Sequence, residues 1–248
     1  MPDWSALVDT APRAELRGDV LRLVESQEQV ATASLVSTLA HQTVLEEMLE
    51  ETKPARPRAA GKLHYLLATP FRYPPLRHGS RFGRRAEPSL FYGSLTEPAV
   101  LAEAAYYRFH FWYGMDAPPP HRIDTQHTLF AARYSSVQAL QLHQAPFDTH
   151  AELLMHPADY RATQALGTAM REAGVELFEF ASARDPQRGL NVALFSPRPF
   201  TRRAPVREDA WLCQLTADRV RFRKMQAADF YEFPLSVFLV GGTLPLPA

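Results

Sequence analysis

The spacing of apolar positions divides the chain into two regions of different character. From Ala14 to Glu51 there is no proline and helix formers dominate. Apolar residues recur at helical spacing through Leu16, Val20, Leu23, Val24, Leu35, Val36 and Leu39, then Val44, Leu45, Met48 and Leu49. This pattern predicts an amphipathic helical region. Residues 51–58 (ETKPARPR) then place two prolines among clustered charge, which stops a helix and marks a linker.

From near Leu63 the elements alternate. A strand is predicted at Leu90 to Ser94, a helix from Pro98 to about Trp112, and a Pro-rich loop at Ala117 to Pro120. Leu129 to Tyr134 and Val137 to Leu142 read as strands and Ala158 to Ala173 as a helix. Further strands follow at Val175 to Phe180, Leu190 to Phe195, Trp211 to Leu215 and Val220 to Phe222. The order of elements predicts an α+β fold.

Composition narrows the function classes. The chain has 248 residues, with 27 Lys and Arg against 27 Asp and Glu, so no global field attracts nucleic acid or an anionic membrane. Apolar residues never run for the eighteen positions a membrane span needs, and Met1 to Thr10 lacks a leader pattern, so cytoplasmic residence is expected. Cys213 stands alone in WLCQL and reads as part of a buried strand. No glycine-rich turn joins a strand to a helix, so any phosphate must be held by side chains. The nine histidines show no ligand spacing, and no metal is expected. Ser94 lacks the second glycine of a nucleophile elbow and reads as a capping or loop residue.

Candidate chemistry gathers between Phe71 and Phe111. In FRYPP (71–75) and SRFGRR (80–85), arginines sit among prolines, glycines and aromatics, where rigid loops can aim a planar fork of donors at diphosphate oxygens. Arg72 and Arg81 are the candidates; Arg77, Arg84 and Arg85 fit solvated loop charge. Leu90 and Tyr92 share one strand face, with Gly93 expected to turn the chain directly afterwards. Tyr92 either fills the core or stacks on a flat ring. Glu103 lies in an apolar stretch, with Ala99 and Tyr107 where a helix ion pair would need a cation. It is either a lone exposed carboxylate or one that faces a pocket and steadies a sugar cation. Farther on, Ser182 in ASARDP (181–186) ends a strand without a neighbouring histidine base, and reads as a hydrogen-bond donor or a turn former.

In this order, Arg81-Phe82, LFYGS (90–94), a glutamate eleven residues after Tyr92, then SARDP before NVALF (191–195), resemble the RES family, named for an Arg, a Glu and a Ser. The resemblance covers about Leu63 to Phe200. It matches Arg81, Glu103 and Ser182 to the catalytic residues. Arg72, Arg81, Tyr92, Glu103 and Ser182 match the residues that bind NAD.

The resemblance implies an ADP-ribosyltransferase-like split β-sheet core over residues 61–248, the NAD-binding catalytic domain, with residues 1–60 as an N-terminal helical extension. It implies a toxin of a bacterial toxin–antitoxin pair that cleaves the nicotinamide–ribose bond of NAD. Phosphate or water would accept the ADP-ribose and cellular NAD would be depleted. The implied partner is an Xre-type antitoxin that covers the cleft and makes the DNA contacts itself. The extension either packs on the core or serves self-association and antitoxin docking. Two other readings stand beside this one. The first is mono-ADP-ribosyl transfer to a protein. The second is a catalytically silent binding module in which Arg72, Arg81 and Glu103 form a salt-bridge cluster.

Overall fold

The computed structural model describes residues 2–26, 38–55 and 57–246. In chain order they form α1 (Trp4–Thr10), β1 (Ala14–Glu25), α2 (Leu39–Thr52), α3 (Tyr65–Arg72), β2 (Phe91–Ser94), α4 (Glu97–Tyr113) and β3 (Ile123–Gln141). After these come α5 (Ala151–Leu154), α6 (Arg161–Glu172), β4 (Leu177–Ala181), β5 (Leu190–Leu194), β6 (Arg207–Leu215), β7 (Arg219–Lys224) and β8 (Tyr231–Pro234). The α+β class expected from the element order is the class observed. No helix among the described residues is long and apolar enough to cross a membrane.

The largest departure from expectation is β1. Residues 14–25, read as helical, form a strand that pairs antiparallel with β3 from Ala14 opposite Ala139 to Glu25 opposite His127. Gly18 and the β-branched Val20 and Val24 weaken a helix here, and a ladder spanning the whole segment outweighs local propensity. Val20 and Val24 point to one face of the sheet, Leu21 and Leu23 to the other. Residues 39–52 are helical as expected, as α2; Leu35 and Val36 lie outside the described residues.

The two strands expected at 129–134 and 137–142 are one strand, β3. One edge of β3 runs along β1, while its other edge is split: Ile123 to Ala131 pairs with β6, and Ala139 to Gln141 pairs in parallel with β4. Between them the chain near Phe200 fills the gap, with Ser135 N–H donating to the Pro199 carbonyl at 2.9 Å and Thr201 N–H to that of Arg133 at 3.0 Å. This is the split in the sheet.

The strand order β1-β2-β5-β4-β3, with β3 returning to β1, closes a five-stranded ring. Val20, Phe91, Phe130, Tyr134, Leu177, Val192 and Leu194 fill it, and Leu66 and Leu67 of α3 pack onto that core. Phe71 and Arg72, expected in a loop, are the last turn of α3. Gly93, expected to turn the chain, stays inside β2: a Cβ there would lie 2.5 Å from both the Leu21 carbonyl oxygen and Val20 Cγ2. Ring closure at the Leu21–Ser94 pair therefore requires glycine.

Helices cover both outer faces. Thr96 caps α4, accepting from Ala99 N–H at 3.4 Å, and Pro98 sits in the first turn. Leu101, Ala105, Phe109 and Trp112 then pack onto the face of Leu21, Leu129, Trp211 and Phe222. On the opposite face α1 and α6 cover Phe178, Phe180 and Ala193. Helix α6 approaches the 80–83 loop so closely that a Cβ on Gly167 would lie 1.9 Å from the Phe82 carbonyl oxygen. Gly167→Ala should therefore cost about 3 kcal/mol by overpacking. Gly174→Ala, at a φ of +72° with open space around it, should cost about 1 kcal/mol through backbone strain alone. Urea unfolding of the two variants measures the difference.

Candidate active site

A cavity of about 300 Å³ opens where β1 and β2 part beyond the Leu21–Ser94 pair. Arg22 and Leu23 of β1, Tyr92 to Ser94 of β2, Glu103 and Tyr107 of α4, and Arg81, Tyr160, Arg184 and Asn191 are among its lining residues.

Arg81 is set by its loop. Gly79 adopts φ +75°, Ser80 and Gly83 bridge, and Phe82 between them is fully buried, its ring 4.8 and 4.9 Å from those of Phe178 and Phe180. The guanidinium then donates through Nη1 to the carbonyls of Leu154 at 3.2 Å and His156 at 2.9 Å, and lies 4.6 Å from the Tyr160 ring. Tyr92 fixes the same loop from β2. Its hydroxyl is 2.9 Å from Ser80 Oγ and accepts from Phe82 N–H at 3.1 Å, and burial pushes the phenol up to about 12. The phenol thus stays neutral and anchors the loop at physiological pH.

Two more arginines join Arg81. Arg22 donates through Nη1 to the Tyr92 carbonyl at 2.6 Å, taking the place of a ladder bond where β1 and β2 separate, and lies 5.2 Å from the Phe91 ring. Burial draws its pKa down to about 10, so it remains charged at neutral pH. Arg184, 5% exposed, donates through Nη2 to the Pro157 carbonyl and the Tyr160 hydroxyl, with its guanidinium carbon 3.6 Å from the centre of the Tyr106 ring. Among the described residues, none of these three guanidiniums forms an ion pair with a carboxylate.

Glu103 is the acidic residue of the cavity lining. Its Oε1 accepts from Ser182 Oγ at 2.6 Å and Asn191 Nδ2 at 2.8 Å. Asn191 Oδ1 in turn accepts from Ser94 Oγ at 2.6 Å. Oε2 has no hydrogen-bond partner among the described residues. Ser182 is 1% exposed and sits behind Glu103; its oxygen also accepts from the N–H groups of Arg184 at 3.1 Å and Asp185 at 3.0 Å. One hydroxyl thus holds the carboxylate and shapes the turn that carries Arg184.

Of the five residues singled out from sequence, Arg81, Tyr92 and Glu103 line the cavity, with Ser182 bonded to Glu103 from behind. Arg72 lines a separate cavity. The salt-bridge cluster of Arg72, Arg81 and Glu103 does not form: Arg81 bonds backbone carbonyls and Glu103 bonds Ser182 and Asn191. Arg77, Arg84 and Arg85 are exposed. Ser94 is a buried strand residue that bonds Asn191, rather than a cap. Cys213 lies buried in β6, where burial pushes its thiol up to about 11, in keeping with the strand reading. No group of three or more His, Cys, Asp or Glu side chains among the described residues is placed to hold a metal.

Sequence reasoning missed Arg22, Arg184 and Asn191. The helical reading of 14–25 hid Arg22, whereas a period of two would have put it on one face with Val20 and Val24. Arg184 lies inside ASARDP and Asn191 is the one polar residue of the apolar strand β5, so both were visible beside Ser182.

These features define an α+β protein with a cation-lined cleft around one anchored carboxylate. A family model described as the RES domain matches residues 55–216, and the chain belongs to that family. Among solved structures it is similar to the M. tuberculosis MbcT–MbcA toxin–antitoxin complex. Identity there is 10%, covering 86% of this chain and 92% of that chain, with a TM-score of 0.49. No curated protein matches the chain. Strand β1, with Arg22, lies upstream of the matched residues yet lines the cavity.

The Ser94–Asn191–Glu103 chain predicts strong coupling. Ser94→Ala alone should cost about 1–3 kcal/mol, because it leaves buried Asn191 Oδ1 without its donor. In an Asn191→Ala background the same change should cost about 1 kcal/mol less. A double-mutant cycle followed by urea unfolding checks this.

Proposed function

We propose that this cavity binds NAD and breaks the bond between nicotinamide and ribose, with phosphate or water accepting the ADP-ribose, and that the chain is the toxin of a toxin–antitoxin pair. One observation carries the reading: three guanidiniums that have no carboxylate partner among the described residues line the same cavity as a single glutamate anchored through one oxygen. Burying cations without counter-charge is costly, and a dianionic diphosphate offsets that cost. Arginine suits the task because its planar fork bonds phosphate oxygens in pairs. Membership of the RES family, with the family-like Arg81, Glu103 and Ser182, supports the choice of NAD.

In this reading Arg22, Arg81 and Arg184 hold the diphosphate, and the Tyr92 ring forms a wall on the nicotinamide side. Glu103 presents Oε2 to the ribose as its carbon–nitrogen bond lengthens and positive charge grows on the sugar. Ser182 and Asn191 keep the carboxylate from swinging away or pairing with an arginine. Nicotinamide leaves as a neutral molecule, so no general acid is needed. The rings of Tyr107 and Phe111, 53% and 52% exposed, lie one turn apart on α4, with Tyr107 lining the cavity. They offer an apolar rim for an Xre-type antitoxin that covers the cleft.

Purified protein should consume NAD faster as phosphate is raised, releasing nicotinamide and ADP-ribose phosphate identified by mass. Glu103→Gln should keep NAD binding while lowering turnover by roughly 10²–10³. A variant with full turnover removes Glu103 from the mechanism. Labelled NAD that marks a protein instead of a small product would establish ADP-ribosyl transfer, and NAD left whole would establish a silent binding module.

A further inference from the structure

The site described above is not the largest cavity near Arg22. A second one, about 650 Å³, shares Arg22 with it as a lining residue. Its walls come from α3 and the chain just after it, including Tyr65, Thr69, Pro70, Tyr73 and Pro74, together with Val24 and Glu25 at the end of β1 and Ser26 just beyond it. We propose that this second cavity holds the adenosine half of the dinucleotide, with Arg22 at the junction where the diphosphate crosses from one cavity to the other. The proposal rests on the NAD reading of the first cavity.

Three features support it. First, the cavity around Glu103, at about 300 Å³, is at the small end for a drug-sized ligand; it suits one nucleoside half of a dinucleotide rather than two. Second, the adjoining walls have the chemistry a nucleoside uses. Tyr65 and Tyr73, 46% and 41% exposed, and the rings of Pro70 and Pro74 give flat surfaces for a base. Oxygens of Ser89, Thr128 and Glu208 in the same lining suit ribose hydroxyls. Third, the shared residue is a cation. Arg22 is held by its bond to the Tyr92 carbonyl, and a diphosphate linking the two halves would meet it on either side. The arrangement also gives a place to Arg72, which lines the second cavity and donates to the Pro54 carbonyl.

Thr69 is exposed on α3, so Thr69→Trp projects an indole into the second cavity without disturbing the core, and Tyr73→Ala removes one of its walls. Thermal unfolding establishes that both variants fold. Each should raise the KM for NAD by about tenfold with kcat little changed, and weaken ADP binding in calorimetry by about the same factor. Nicotinamide mononucleotide, which lacks the adenosine half, should be turned over by wild type and both variants alike. NAD consumed with an unchanged KM, or ADP bound equally by wild type and both variants, overturns the second cavity while leaving the first intact. Wild-type protein that binds ADP in a Thr69-sensitive way but leaves NAD whole overturns the reading of the first cavity instead.

Discussion

The approach of β1 to β2 at Gly93 is the constraint on which the rest of the structure depends. Val20 and Leu21 lie so close to Gly93 that any side chain there would collide with them. That contact closes the ring, and just beyond it the two strands part. The parting leaves the Tyr92 carbonyl unmatched by a ladder donor, and Arg22 supplies one from its side chain. A cation is thereby drawn to the mouth of the cavity by a backbone requirement, since a buried carbonyl needs a partner. The opening and its first positive charge thus share one cause.

The second cation depends on packing rather than pairing. Phe82 is clamped between Phe178 and Phe180, and its neighbour Arg81 has no freedom to leave the cavity wall. Two polar contacts reinforce this from β2, because the Tyr92 hydroxyl binds both Ser80 and the Phe82 amide. Gly167 lets α6 close on the loop from the far side. Removing a fully buried phenylalanine costs about 3–5 kcal/mol, so the loop's position is secured by more energy than any single hydrogen bond in it provides.

Much of the cavity's lining was legible in the sequence, and the parts that were not share a physical reason. Glu103 drew notice because a carboxylate in an apolar helix stretch has no cation one turn away, which opened a pocket-facing reading beside the exposed one. Tyr92 and Leu90 were placed on one strand face by a period of two, and both pack toward Phe82 and Phe180. Arg22 could not be found while 14–25 was taken as helical. Leucine, valine and charged residues at those spacings satisfy both periods, and the choice is made by β3, more than a hundred residues away. Gly93 shows the same blindness: sequence marks a glycine as special but does not say whether it turns the chain or admits a neighbour. Arg72 failed differently, since proline after it suggested a loop where α3 was still completing its last turn.

The anchoring of Glu103 explains why a glutamate can share a cavity with three arginines without pairing with them. An unrestrained carboxylate beside guanidiniums would pair with them, and both charges would then be lost to a ligand. Here Ser182 and Asn191 hold Oε1, and neither donor is charged. The carboxylate therefore stays ordered without neutralising a cation, and Arg81 and Arg184 meet their own needs at backbone carbonyls and a tyrosine hydroxyl. The cavity holds its opposite charges apart with neutral partners. A molecule with an anionic middle and a sugar that turns cationic on bond breaking would complete both at once. Under the proposed chemistry, this separation of charge is the preorganisation that the transition state requires.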